Sequence, residues 1–74
     1  MPKVRYAVVF EKGDNNYAAY VPDLPGCVST GKTCEDVERN IREAVAFHIE
    51  GLGLTGQPVP APTAWVEEVE IAGA

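Results

Sequence analysis

Apolar and polar positions alternate along the first part of the chain, which is the pattern of a β-strand with one buried face. The apolar positions that share one side are Val4, Tyr6, Val8 and Phe10. Lys12–Asn16 is rich in residues that tolerate turn geometry, so the chain is expected to reverse there as a hairpin. The pattern predicts three strands in an antiparallel meander, at about residues 3–11, 17–21 and 27–32.

A helical spacing of apolar residues follows the third strand and extends from about residue 34 to residue 52. Thr33 is a suitable N-cap, and Asp36, three residues later, completes a weaker form of the capping box. The residues that fall on one apolar stripe are Cys34, Val37, Ile41, Ala44, Val45, His48 and Leu52. This amphipathic helix is expected to pack on one face of the sheet.

The last part of the chain is predicted to return to the sheet. Residues 53–64 contain alternating prolines, which favour an extended strap, and residues 65–71 alternate again as a fourth strand. Pairing that strand in parallel with the first, through a right-handed crossover, gives the sheet order 3-2-1-4. The predicted fold is a single α+β domain over residues 1–74, with element order β-β-β-α-β and a mixed four-stranded sheet.

The segment Pro22–Pro25 is the most strongly specified turn in the chain. Its two prolines fix φ and remove backbone donors, so strand pairing is expected to stop there. Gly26 allows the positive φ with which the chain re-enters a strand, and Asp23 is able to accept local backbone hydrogen bonds. A turn of this kind, without an obvious catalytic group, indicates a scaffold or a binding surface.

A wider pattern surrounds this turn. A strand leads into Val-Pro-Asp-Leu-Pro-Gly-Cys at residues 21–27, then a short strand ends in Thr-Gly, and Thr-x-x-Asp opens the helix. This combination resembles the HicB-like antitoxins, with a match from Tyr6 to about Pro62. The resemblance implies a partial RNase H-like fold that lacks the RNase H active site and binds a small RNA-cleaving toxin of the HicA type. We expect a short form, without the C-terminal DNA-binding segment of many members.

Charge and composition narrow the classes of function. The 74 residues include six Lys and Arg against eleven Asp and Glu, a formal charge of -5, and the basic residues are scattered. Direct nucleic-acid binding is disfavoured, whereas an acidic surface suits a basic protein partner. Neither a signal peptide nor an apolar run of membrane length is evident, and Cys27 and Cys34 are too far apart along an extended path for a disulfide. We therefore expect a cytoplasmic protein.

Candidate catalytic groups are sparse. His48 is the only histidine, and its place on the apolar stripe favours a core role over that of a general base. Cys34 lies near a helix N-terminus, where thiols are activated, but an apolar contact under the helix is favoured. The two cysteines and His48 lack a fourth ligand and zinc-site spacing, and the carboxylates do not converge as a metal clamp requires. We predict no catalytic residue, no metal site and no cofactor.

The function predicted from the sequence is that of an antitoxin, without enzymatic activity, that binds and sterically inhibits a small basic HicA-type mRNA-cleaving toxin. A stand-alone oligomeric module that binds a protein or ligand is the alternative, and a small hydrolase is a weaker third hypothesis. One helix leaves the other sheet face uncovered, which predicts a homodimer or higher oligomer. The residues predicted to bind the partner are Pro22, Asp23, Leu24, Pro25, Glu35 and Glu38.

Overall fold

The computed structural model of the protein describes residues 4–73. Its elements in chain order are β1 Val9–Lys12, β2 Tyr17–Tyr20, β3 Val28–Gly31 and α1 Cys34–Leu54. The strands form one antiparallel sheet in the order β1-β2-β3. The predicted α+β class, with an antiparallel meander and one helix, is confirmed. Lys3, where the first strand was predicted to begin, lies outside the described residues.

The first strand is shorter than the alternating pattern predicts. Val9 pairs with Tyr20, so in the same register Ala7 would lie opposite Pro22. Proline has no N–H to donate to a ladder, and pairing stops before it. Residues 4–8 therefore precede the ladder, although their alternation of side chains continues that of β1.

The predicted fourth strand is absent from the described residues, so the order 3-2-1-4 is wrong. Residues 57–71 have no regular secondary structure. The alternating prolines of this stretch, all of which lie before residue 63, lack ladder N–H groups and keep the strap itself out of the sheet. Two polar contacts hold this stretch: the Tyr6 hydroxyl, in the segment that leads into β1, donates to the carbonyl of Pro60, and Thr63 donates to Asp23 in the β2–β3 turn.

The termini of α1 follow from local chemistry. Thr33 is extended (φ -127, ψ 165), and its Oγ1 accepts the N–H of Asp36 at 3.0 Å, as the capping pattern predicts. At the other end, the N–H groups of Gly56 and Gln57 donate to last-turn carbonyls at 3.2 and 2.9 Å. Gly56 has φ 72, which is the left-handed conformation of a Schellman termination. The chain then leaves the helix as the strap.

The core lies between α1 and the sheet. Its buried members are Ala19, Val21, Leu24, Cys27, Val37 and Ile41. The helix packs on β3 and β2, while β1 lies to one side of it. Gly31 makes the close approach possible, because a Cβ there would lie 2.5 Å from the backbone N of Val37.

Candidate functional site

The turn between β2 and β3 is held by backbone hydrogen bonds. The N–H of Val21 donates to the carbonyl of Cys27 at 3.1 Å, which closes the base of the turn. Inside it, the N–H groups of Leu24 and Cys27 donate to the carbonyls of Val21 and Leu24 at 3.1 and 3.0 Å. Gly26 has φ 83, the left-handed conformation that the sequence predicts. The turn is therefore a fixed shape.

The four turn residues predicted to bind a partner have different surroundings. Pro22 and Pro25 are exposed, as docking residues must be. Leu24 is 0% exposed and belongs to the core, so it supports the turn from below and offers no surface of its own. Asp23 is half-buried, and its carboxylate already binds the strap.

The carboxylate of Asp23 accepts three hydrogen bonds from the strap. Its Oδ1 accepts from the Thr63 hydroxyl at 2.6 Å, and its Oδ2 accepts from the backbone N–H groups of Thr63 and Ala64, each at 3.0 Å. These donors favour the charged form, so the pKa of Asp23 is lowered, with the Thr63 hydroxyl as the largest cause. We call these three bonds the Asp23 latch.

The two helix residues predicted to bind a partner lie near the start of α1. Glu35 and Glu38 are both exposed. Glu38 accepts from Arg42 at 3.1 Å across the favourable i,i+4 spacing, and Arg39 pairs at 3.0 Å with Asp36. Both ion pairs are exposed and contribute little to stability.

The turn and the helix acids do not form one compact cluster. The Pro22–Pro25 turn precedes β3 and α1 follows it, so the two groups lie at opposite ends of that strand. Four strand residues span about 13 Å. A partner that contacts both groups must cover that length of the molecule.

A groove of about 450 Å³ lies between the first strand and the helix. Its apolar lining consists of Val4, Tyr6, Val8 and Phe10 from one side and Ile41 and Val45 from the other. It exists because α1 rests on β2 and β3 and leaves the row that leads into β1 only partly covered. We call it the β1 groove. The ion pair of Glu38 and Arg42 lies at its helix side.

The sheet face opposite the helix also carries apolar side chains. Val9, Tyr20 and Val28 lie side by side across the three strands in the observed register. Tyr20 and Val28 are exposed. This open face is the surface from which oligomerisation was predicted.

Two further segments expose large apolar side chains. Phe47 and Leu54 are exposed on α1. Beyond the strap, the exposed apolar residues are Trp65, Val66, Val69 and Ile71. We call residues 65–71 the tail. Several apolar surfaces outside the core are typical of a protein that binds other proteins.

The candidate catalytic groups lie in separate places. His48 is half-buried on α1, Cys34 is exposed at its start, and Cys27 is buried, which raises the pKa of its thiol. Cys34 is thus not buried, but it lies beside Tyr17 of β2, and hydrogen bonding with it raises the pKa of the Tyr17 phenol. Across residues 4–73, no three His, Cys, Asp or Glu side chains gather as a metal site would require.

A membrane-spanning helix is absent from residues 4–73, where none combines sufficient length with sufficient apolar character.

Sequence reasoning missed the partners of the strap. Pro60 and Thr63 bind residues 54 and 40 positions earlier, and no periodic pattern links an irregular strap to a turn. Asp23 was the one residue whose type pointed to such a contact, because a carboxylate in a proline-containing turn needs hydrogen-bond donors. The sequence predicts local backbone donors for Asp23, whereas its donors come from the strap.

Comparisons with known proteins give a consistent result. A family model described as "HicB_like antitoxin of bacterial toxin-antitoxin system" matches residues 6–72. A UPF0150 protein of Synechocystis is 42% identical over 67 residues, which cover 89% of this chain and 85% of that protein. An uncharacterized 14.9 kDa protein of Haemophilus phage HP1 is 45% identical over 47 residues. The match covers 64% of this chain but only 35% of the phage protein.

A solved structure is also similar. A chain of the "HicA3 and HicB3 toxin-antitoxin complex" aligns with a TM-score of 0.69 and 37% sequence identity. The alignment covers 80% of this chain and 69% of that chain. This likeness extends well beyond the Pro22–Pro25 turn.

Proposed function

The chain belongs to the HicB-like antitoxin family, and on that premise we propose that it binds a HicA-type toxin and inhibits it sterically. The toxin would be a small basic protein that cleaves mRNA, and this chain would cover its active site without any chemistry of its own. The observation that carries the proposal is the likeness to a chain from a HicA3–HicB3 complex, at 37% identity.

Surface charge supports a basic partner. The chain has a formal charge of -5, and Glu35 and Glu38 are exposed near the start of α1. Carboxylates at that position orient and accelerate the approach of a cationic protein. We infer that they form the electrostatic part of the docking surface, together with the exposed rings of Pro22 and Pro25. Asp23 and Leu24 would hold that turn in shape.

Growth rescue is the direct test. The chain is co-expressed with a HicA-type toxin, preferably one encoded beside it, and growth and co-purification are measured. The proposal expects normal growth and a stable complex. Persistent toxicity, with no complex between two folded proteins, would remove it.

Matched charge reversals locate the docking surface. Glu35→Lys combined with Glu38→Lys is expected to weaken toxin binding at least tenfold and to make it less sensitive to salt. Glu43→Lys combined with Glu50→Lys changes the net charge equally, further along the same helix, and is expected to have a smaller effect. Equal losses in the two variants would show that only net charge matters and that Glu35 and Glu38 make no specific contact.

A stand-alone binding module is the second candidate, favoured by the exposed apolar residues of the open face and the tail. An unrelated neighbouring gene would support the module, and a small basic protein with a conspicuous histidine would support the antitoxin. His48→Leu is expected to leave toxin binding intact. Loss of binding by a folded variant would give that histidine a part in docking.

A further inference from the structure

The tail is an unpartnered strand-like segment on the surface. Trp65, Val69 and Ile71 are 76%, 73% and 66% exposed, and they fall on one side of an alternating sequence. The same side carries Glu67, whose carboxylate accepts from the indole N–H of Trp65 at 2.8 Å. A strand with one apolar side needs an apolar surface to cover it.

The β1 groove is a matching surface on the same chain. The side chains that line it from Val4 to Phe10 repeat every second residue, as do those on the apolar side of the tail. Val4 is 62% exposed and Phe10 is 49% exposed, so this row is incompletely covered. Within the described sheet, β1 has a ladder partner on one side only. An extended segment laid there would gain both backbone and side-chain partners.

The charges of the two segments are also complementary. The tail contains Glu67, Glu68 and Glu70 and no basic residue. Arg42 lines the β1 groove, where it shares its charge with Glu38 in an exposed ion pair, and the exposed Arg5 belongs to the row that lines the other side of the groove. An acidic strand beside these cations is favoured over a basic or neutral one.

The tail does not fill the groove of its own chain, whose lining contains no residue from 65–71. The strap before it is held at two points, by the bond from Tyr6 in the groove row to Pro60 and by the Asp23 latch at the β2–β3 turn. The molecule is consequently elongated, with dimensions of 49 × 28 × 21 Å. Its radius of gyration is 14.4 Å, against about 11 Å for a compact chain of this length.

From these observations we propose that the tail of one copy lies in the β1 groove of a second copy. The exchange is reciprocal: the tail of each copy lies in the groove of the other. The resulting two-fold dimer covers both the apolar side of the tail and the β1 groove. The occupant of the groove is thus a second copy of this chain, and the interface differs from the open sheet face. The inference does not rest on toxin binding.

Trp65 provides the assay, because it is the only tryptophan of the chain. Sedimentation equilibrium and tryptophan emission are measured on the full chain over a range of concentrations. The mass is expected to rise from 7.9 kDa to twice that value, with a parallel blue shift and reduced acrylamide quenching. A chain that stays monomeric at all concentrations, or a dimer in which Trp65 remains solvent-exposed, would overturn the proposal.

Two tail variants test which side is buried. Val69→Ser removes an apolar side chain from the side that faces the groove, and Val66→Ser makes the same change on the other side. Both residues are exposed, so both variants should stay folded, as far-UV circular dichroism will show. Val69→Ser is expected to raise the dimer dissociation constant at least about tenfold, since the change occurs twice per dimer, and Val66→Ser much less. Equal effects would overturn the assignment.

Mixing two variants tests the exchange itself. Val4→Ser damages the groove and leaves the tail intact, whereas Val69→Ser damages the tail and leaves the groove intact. In a mixed dimer both changes fall in one tail–groove pair and the other pair is undamaged, whereas in each homodimer both pairs carry one change. If tail and groove meet, the two costs overlap in the doubly changed pair, so the mixed dimer is expected to be more stable than the mean of the two homodimers. A mixed dimer no more stable than that mean would count against contact between tail and groove.

Discussion

Asp23 and Thr63 are joined twice across 40 positions of the chain, once through the Thr63 hydroxyl and once through its backbone N–H. The carboxylate thereby ties the turn between β2 and β3 to the strap that follows the helix. This contact determines where the strap ends and hence where the tail begins. Of the two contacts that hold the strap, this one depends on an ionisable carboxylate.

The Asp23 latch is expected to open in acid. A carboxyl group has an ordinary pKa of about 3.9, and that of Asp23 is lower in the folded protein. Its contribution to stability is therefore present above about pH 3.9 and is lost as the pH falls through the lower, folded value. Titration of the Thr63 and Ala64 amide proton shifts by nuclear magnetic resonance measures this transition.

Two variants control that titration. Asp23→Asn should abolish the pH dependence of both amide shifts, and Thr63→Val should raise the midpoint, because it removes the hydroxyl that lowers the pKa most. If the native midpoint were at or above the ordinary value, the latch would not stabilise the charged carboxylate.

Gly31 is expected to tolerate no side chain. Alanine would place a Cβ 2.5 Å from the backbone N of Val37, so the helix would have to move. Gly31→Ala should lower the free energy of unfolding by about 1–3 kcal/mol in urea denaturation. Gly53→Ala is the matched control: it has open space within α1 and should raise that free energy by up to about 1 kcal/mol. A neutral result for Gly31→Ala would mean that the helix can shift at little cost.

Glycine is required at position 26 because of its backbone conformation, and not because space for a side chain is lacking. Its φ of 83 disfavours L side chains, although nothing lies within 4 Å of a Cβ built there. Gly26→Val should lower the melting temperature and cost about 1–2 kcal/mol of stability. Gly26→Asn, which tolerates the left-handed region, should cost less. Identical losses for Val and Asn would point to a cause other than φ.

Leu24 is expected to behave as a core residue despite its place in a surface turn. Leu24→Ala should lower the free energy of unfolding by about 2–5 kcal/mol, because a fully buried side chain leaves a cavity. Leu54→Ala removes the same atoms from a position that is 81% exposed and should change stability by less than about 0.5 kcal/mol. Similar values for both variants would contradict the burial of Leu24.

The regular elements were predictable because their signals are local. Alternation and turn residues predicted three strands, of which the first is shorter than predicted, and Thr33 with Asp36 predicted the start of the helix. The family was recognisable from the pattern around Pro22–Pro25, and the family match over residues 6–72 confirms it. Local patterns also placed Gly26 in the left-handed region.

The errors arose where a local pattern needs a distant partner. Residues 65–71 alternate like a strand, but alternation cannot specify a neighbour, and the strap ends beside Asp23 instead of along β1. Leu24 was predicted to lie on a docking surface because an irregular turn has no repeating apolar pattern that would show whether its side chain points inward or outward. Cys34 was assigned to the buried stripe, but as the first residue of the helix it is exposed, although it lies beside Tyr17 of β2.

The position of α1 over β2 and β3 has a consequence for the order in which the molecule opens. β1 has one short ladder and no helix above it, so it has the weakest support of the three strands. Its amide hydrogens should therefore exchange with solvent earlier than those of β2, through a local opening that leaves the remaining core closed. Any protein that covers the exposed flank of β1 would slow this exchange, and protection at Val9–Lys12 would report its arrival.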